Sequence, residues 1–357
     1  MNRIASLLSG GTLFVSVAIY YNAESHWAGK AMELDVIARK LYDRQIDYLF
    51  LPLDELEKAS RFEVVLVPEA EYVPVELAKL PNAVFIESLP GNYDKAGITE
   101  VNVVPLDKLA DYLDNRRLRT VGLTTENNRL RCCHYLGEED LYFFVNEGTE
   151  EYVGTVEIPN QKKGYFYLPW ENEVRKAVFA DKKLQLRLRP RESVVFVNSD
   201  SPAADRYPEL ETVEGMRELP LGAFRRSVCE ALSYPAMSRE KSVSLPDEPE
   251  REYPDFSGFI RYETELQLDK AGKTLLFVGD ADQSGIEILV NHRSIGLFAW
   301  SPVLVDITEY VHAGENTLCV ELSTTLERDS YKYDTFSPLG KSKPQTRSGL
   351  SGCAVYV

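Results

Sequence analysis

Phe256-Ser257-Gly258-Phe259-Ile260-Arg261-Tyr262 opens the stretch, running to Val357, whose reading decides the fold of this chain. Behind it come Gly279-Asp280-Ala281-Asp282, the hydrophobic alternation Ile286, Ile288, Val290, and the tight turn Asn291-His292-Arg293-Ser294. Pro302-Val303-Leu304-Val305-Asp306-Ile307-Thr308, Gly314-Glu315-Asn316-Thr317-Leu318 and Ser348-Gly349-Leu350-Ser351-Gly352 complete the series. Alternating strands punctuated by turn residues specify an antiparallel β-sandwich. Residues 256–357 are therefore expected to form one complete sandwich domain.

Upstream the pattern differs. From Val15 to about Leu118, buried β-branched strands alternate with helical spacing: Val15 to Tyr20, Ala31 to Arg44, Tyr48 to Leu51, Asp54 to Lys58, Val64 to Val67, Pro74 to Leu80, Ala83 to Ile86 and Leu106 to Leu113. This alternation predicts a small parallel sheet with helices on both faces, flavodoxin-like in outline, over residues 1–118. After Arg119-Thr120-Val121 the period switches to two. Leu130 to Tyr135, Leu141 to Val145, Tyr152 to Ile158, Tyr165 to Leu168, Leu184 to Leu188 and Val194 to Val197 read as a β-sandwich over 119–198. Seven prolines between Pro202 and Pro254 exclude long regular elements, so 199–255 is expected to be a crossover packing on both sandwiches. The expected fold class is thus multidomain, α/β plus all-β.

Composition narrows the function. With 357 residues, two or three domains of roughly 100 to 150 residues fit. A hydrophobic fraction of 44% is enough to fill cores without metals or disulfides. The net charge of -16 repels both a phosphate backbone and an anionic bilayer, which argues against nucleic-acid and membrane partners. The five cysteines lack metal-ligand spacing, and the adjacent Cys132 and Cys133 would face opposite sides of a sheet. They read as free thiols of a reducing compartment. The apolar run through Leu13-Phe14-Val15 is broken at Gly10-Gly11 and reads as a strand rather than a signal peptide, favouring a cytoplasmic over an exported chain.

The succession from Phe256 to Gly352 resembles the galactose-binding-like jelly roll that ends large bacterial glycoside hydrolases, those of family 2 and the family 106 rhamnosidases. Other segments resemble the region that follows the catalytic barrel in such enzymes. Met1 to Gly11 is similar to the helix leading out of the barrel, and Val17 to Gly29 to the first strand and loop of the next domain. Leu130 to Tyr135 with Leu141 to Glu147 is similar to the sandwich opening, and Leu186 to Phe196 to its last hairpin. The resemblance implies a non-catalytic accessory role, bracing a barrel supplied in cis or in trans, with carbohydrate as a ligand. Those enzymes hold their catalytic carboxylates at the rim of a (β/α)8 barrel, which takes about 250 residues. The chain starts where that barrel should have ended, so no acid or base can be carried over. Ile4, Leu7, Leu8 and Trp27 are expected to form an apolar patch for a barrel or for self-association.

Two alternatives stay open: a working hydrolase with its site at the edge of the parallel sheet, and a protein-interaction scaffold. For the hydrolase the candidates are Glu69 and Glu71, just past the strand Val64 to Val67, with Glu24 and His26 in the loop after the first strand. Open α/β sheets place ligands at that edge, and glycoside hydrolysis needs two carboxylates facing one cleft. An amidotransferase reading fails, since residues 1–131 hold no cysteine and His26 alone. A dinucleotide reading fails for want of a glycine-rich phosphate loop after Tyr20. In the last domain Trp300, Tyr331 and Tyr333 are of the type that stacks on a pyranose, and Asp280, Asp282, Asn291 and Arg293 of the type that binds its hydroxyls. No cofactor is expected. Loop carboxylates and carbonyls leave a structural calcium ion open, although no loop carries a dense alternating run of ligands.

Overall fold

A computed structural model describes residues 2–93, 101–281, 285–333, 344 and 347–357. The chain divides into two compact units, Met1–Leu210 and Glu211–Val357.

The first unit contains a five-stranded, all-parallel sheet built from Val17–Tyr20, Tyr48–Leu51, Val64–Val67, Ala83–Ile86 and Asn102–Val104. Their spatial order is second, first, third, fourth, fifth, a common order among doubly wound sheets. Three of the five are buried at every position, as continuous Val/Ile/Leu runs require when both faces are covered. Ile37, Ala38 and Leu41 of helix Leu34–Tyr42 cover one face together with Leu109 and Leu113 of helix Leu109–Asn115. Ala59, Phe62 and Leu77 belong to the clusters on the other face. Two of the expected helical segments are 3-10 segments, Leu53–Arg61 and Val75–Lys79, each preceded by a proline.

The same unit holds a β-sandwich. Its six-stranded sheet runs Thr12–Leu13, Leu130–Leu136, Asp140–Asn146, Ser193–Asn198, Tyr165–Leu168, Glu173–Lys176. It faces a four-stranded sheet of Phe179–Ala180, Lys183–Leu188, Tyr152–Glu157 and Gly122–Leu123 across a core that includes Tyr142, Phe144, Phe166, Leu186 and Phe196. The leading segment departs from expectation. Thr12–Leu13 pairs with Tyr135 and Leu136, and Leu7 and Leu8 of helix Asn2–Leu8 pack on Leu141, Val195 and Val197. Residues 2–13 thus run with the sandwich rather than the parallel sheet, and three of the four residues expected in an open apolar patch, Ile4, Leu7 and Leu8, are half-buried.

In the second unit a six-stranded sheet runs Ser238–Val243, Phe224–Glu230, Gly258–Leu268, Gly314–Ser323, Gly285–Val290, Arg293–Phe298. The opposing sheet is Glu218–Leu219, Cys353–Tyr356, Leu275–Val278 and Val303–Asp306. Ile260, Tyr262, Ile288, Leu318 and Val320 fill the space between. The proline-rich stretch, expected to lack long regular elements, supplies two strands of the larger sheet, of seven and six residues. Its prolines bracket those strands: Pro220 precedes Phe224–Glu230, while Pro235 and Pro246 flank Ser238–Val243. Arg226, 1% exposed, is the notable buried cation of this unit. It donates to both Asp247 oxygens at 3.1 and 3.2 Å and to Glu252 at 2.6 Å.

Candidate functional site

The carboxyl edge of the parallel sheet forms an open cleft of about 600 Å³, lined among others by Lys30, Met32, Glu69, Glu71 and Ser88. Its walls are fixed by backbone pairing: Met32 N donates to Glu69 O at 2.8 Å and Glu71 N to Lys30 O at 2.9 Å. Glu69 and Glu71 lie where the strand Val64–Val67 ends, as the sequence indicates. Both are exposed. Glu69 accepts from the Ser88 hydroxyl at 2.7 Å, and Glu71 from the Lys30 amide at 3.2 Å. Glu24 and His26 are not brought into this cleft. They lie on helix Ala23–Ala28, where the expected loop is helical; Glu24 accepts from the Tyr20 hydroxyl at 3.0 Å, and His26 is exposed. Burial, reinforced by Glu24, raises the Tyr20 phenol well above its ordinary range. Trp27 on the same helix is 84% exposed.

The residues expected to bind sugar in the second unit are divided between two ends of its sandwich. Asp280 accepts from the Ser301 hydroxyl at 2.8 Å, next to Trp300. Trp300 packs on the core and meets Phe298 edge-to-face at 5.4 Å. Tyr331 is on helix Glu327–Tyr333, which is tied to Pro254 and Ser257 at the same end. Asn291 and Arg293 lie at the other end of strand Gly285–Val290, roughly 17 Å away at the rise of an extended chain. There Asn291 is committed to the backbone and side chains of its own turn, donating to Tyr310 O and Asn316 Oδ1 and accepting from Thr317 N. The Arg293 guanidinium lies 4.9 Å from the Tyr310 ring centre. Asp282 lies outside the described residues, and Tyr333 is described only as the last residue of its helix. Among the described residues, no group of three or more His, Cys, Asp or Glu is placed to hold a metal ion.

Two further clefts escape the sequence reading. One, of about 730 Å³, lies on the outer face of the larger sheet of the second unit, lined among others by Arg225, Arg261, Glu263 and Thr317. Its two arginines are paired: Arg225 donates to Glu263 at 3.0 Å, and Arg261 to the buried Glu321 at 2.6 and 2.8 Å. The other, of about 380 Å³, lies in the first unit between the parallel sheet and the outer face of the larger sandwich sheet. Tyr42, Gln45 and Asp47 border it from one side, Arg131, Cys133 and Glu147 from the other. Asp47 is 9% exposed, and its Oδ2 has no hydrogen-bond partner among the described residues. Burial lifts its carboxyl to about 7, against partial relief from the Thr120 hydroxyl and the His134 backbone. The Cys133 thiol is pushed up to about 11 by burial and by Asp47, and so stays protonated at neutral pH.

The fold is one that occurs in glycoside hydrolases. A rhamnosidase from Novosphingobium sp. PP1Y matches 98% of this chain with a TM-score of 0.61 at 16% identity, and the chain spans 39% of that enzyme's length. At that identity the likeness is one of fold. A β-glucuronidase from Faecalibacterium prausnitzii overlaps 42% of this chain and 32% of its own, at 13% identity and a TM-score of 0.31. A β-D-mannosidase from Dictyoglomus thermophilum overlaps 40% of this chain and 22% of its own, at 14% identity and a TM-score of 0.29. Overlaps that small support no inference. Neither a protein-family model nor a curated protein matches the chain.

Proposed function

We propose that this chain is a non-catalytic accessory part of a glycoside hydrolase, which braces a catalytic barrel carried in cis or in trans and binds carbohydrate. One observation carries the reading: almost the whole chain shares its fold with a rhamnosidase while spanning 39% of that enzyme's length. In this reading the parallel sheet is a flavodoxin-like domain and the second unit a galactose-binding-like jelly roll. Its sugar would meet the end that carries Asp280, Trp300 and Tyr331. Trp27, solvent-exposed on a short helix, suits a contact with the barrel or with a second copy. The reading calls for no cofactor.

A second reading, a hydrolase acting at the sheet edge, is favoured by the shared cleft of Glu69 and Glu71. Turnover of aryl glycosides by the purified chain separates the two. The accessory reading expects aglycone release no faster than the blank. A rate abolished by Glu69→Gln or Glu71→Gln would overturn it and establish the second.

A further inference from the structure

A row of aromatic rings runs along the open edge of the parallel sheet and ends in the 380 Å³ cleft. Tyr48–Leu51 is the edge strand, so nothing pairs with its outer side within the sheet. Tyr48 and Phe50 project from the same face of it, as alternate residues must. Tyr42, the last residue of helix Leu34–Tyr42, meets Tyr48 at 5.1 Å between ring centres; Tyr48 meets Phe50 at 5.4 Å, and Phe50 meets Tyr21 at 6.2 Å. Tyr42, Phe50 and Tyr21 keep 44%, 47% and 48% of their surface exposed. Three of the four rings are thus accessible, and Tyr48 between them is half-buried against the core that covers this sheet.

At the Tyr42 end the chemistry changes from apolar to hydrogen-bonding. The Arg131 guanidinium lies 5.3 Å from the Tyr42 ring centre and donates to Glu147 at 2.8 Å. That ion pair cancels its own charge. Asp47 behind it retains an oxygen without a protein partner, in an environment that disfavours its ionised form. With that pair neutralised and Asp47 disfavoured as an anion, the cleft offers no net charge of either sign to a charged ligand. Rings in series suit the apolar faces of successive pyranoses, and a compact polar cleft suits the hydroxyls of a terminal unit. A volume of about 380 Å³ lies in the range of small-molecule sites.

We propose that the strip Tyr21, Phe50, Tyr48, Tyr42 and the cleft bounded by Asp47, Arg131 and Glu147 bind a neutral oligosaccharide, its terminal unit in the cleft and the following units along the rings. This rests on and deepens the carbohydrate part of the accessory reading, and places a sugar on the first unit, away from the binding residues expected in the last domain. It would survive the loss of sugar binding by the second unit.

The test is a glycan array followed by calorimetric titration of the full chain with the best neutral tetrasaccharide, its monosaccharide and a tetragalacturonate of equal length. The neutral tetrasaccharide is expected to bind at least about tenfold more tightly than the monosaccharide, because three ring contacts are lost with the shorter ligand. Tyr42→Ala and Phe50→Ala are each expected to weaken it by about three- to tenfold. Both residues are nearly half exposed, so thermal unfolding should show the variants folded. Asp47→Ala should weaken tetrasaccharide and monosaccharide alike, since both fill the cleft. Trp300→Ala should leave the affinity unchanged; binding lost in Trp300→Ala and kept in Tyr42→Ala and Phe50→Ala would overturn this site while keeping the accessory reading. Absence of any neutral-glycan binding at millimolar concentration, or tighter binding of tetragalacturonate, would overturn it as well.

Discussion

Each unit of this protein holds an aspartate with little exposure, buried Asp47 in the first and half-buried Asp247 in the second, and the two are treated in opposite ways. In the second unit Asp247 accepts from the Arg226 guanidinium and, at 2.8 Å, from the Tyr262 hydroxyl. Glu252 accepts from the other terminal nitrogen of the guanidinium, with Lys241 and the Tyr253 hydroxyl as further donors. Both Asp247 oxygens have their donors, while the Arg226 Nε is left without a partner among the described residues, and the network joins Phe224–Glu230 to Gly258–Leu268 and the segment around residue 250. In the first unit Asp47 borders a cleft, beside thiols and a neutralised arginine, with one oxygen unpartnered. A buried carboxyl with its donors in place serves folding. One left short of donors costs stability, and a cleft beside it gives that cost a use.

Breaking this network should have the largest effect. Arg226→Ala removes a fully buried cation and leaves the largely buried Asp247 without it, and should destabilise the second unit by about 3–5 kcal/mol, read from urea unfolding. A loss under 1 kcal/mol would mean the network is solvated. The network also sets an acid limit. Hydrogen bonds from Arg226, Lys241 and Tyr253 hold Glu252 down at about 2. A depressed carboxyl stabilises the fold above its unfolded value and loses that contribution as pH falls through the folded one. The second unit should therefore weaken between about pH 4.5 and 2, and Arg226→Ala should remove much of that slope.

Asp47 should behave in the reverse sense. Its folded value, near 7, stands above the 3.8 of a free carboxyl. The fold binds this proton more tightly than the unfolded chain does. The contribution is complete below about pH 4 and is lost as pH rises through 7. Asp47→Asn should accordingly stabilise the first unit at pH 8 by up to about 4 kcal/mol, with the gain gone near pH 4. Equal stability of wild type and variant at both pH values would show that water solvates Asp47 freely. The smallest effect belongs to Glu69→Gln and Glu71→Gln. Both carboxylates are exposed, and each substitution should move stability by no more than about 0.5 kcal/mol.

Much of the fold was legible because its signals are local. Tyr48–Leu51, Val64–Val67 and Ala83–Ile86 fall where unbroken β-branched and aromatic runs place them. Asn102–Val104 went unseen, since three residues with two exposed carry no periodicity. The strands around residues 224–243 were hidden by prolines that bound them without interrupting them. Helix Asn2–Leu8 looked like a fragment of something else because the surface it covers, Leu141, Val195 and Val197, lies far along the chain.

The sites were less legible, for the same reason. The position of Glu69 and Glu71 past a strand end was legible because strand ends are local features. That Tyr48 and Phe50 line an open edge follows from strand order, which the strands themselves do not encode. Asp47 reads as an ordinary polar residue ahead of a strand. Its burial comes from residues about 85 positions on, Cys132, Cys133 and His134, whose sandwich closes over it.

The contrast between the two aspartates rests on the protonation of Asp47, which carboxyl carbon NMR can follow residue by residue in the intact chain. A midpoint near pH 7 that moves when the neutral tetrasaccharide is added is the predicted result. A midpoint near 4, unchanged by the sugar, would contradict it and return Asp47 to the ordinary solvated carboxylates of this acidic protein.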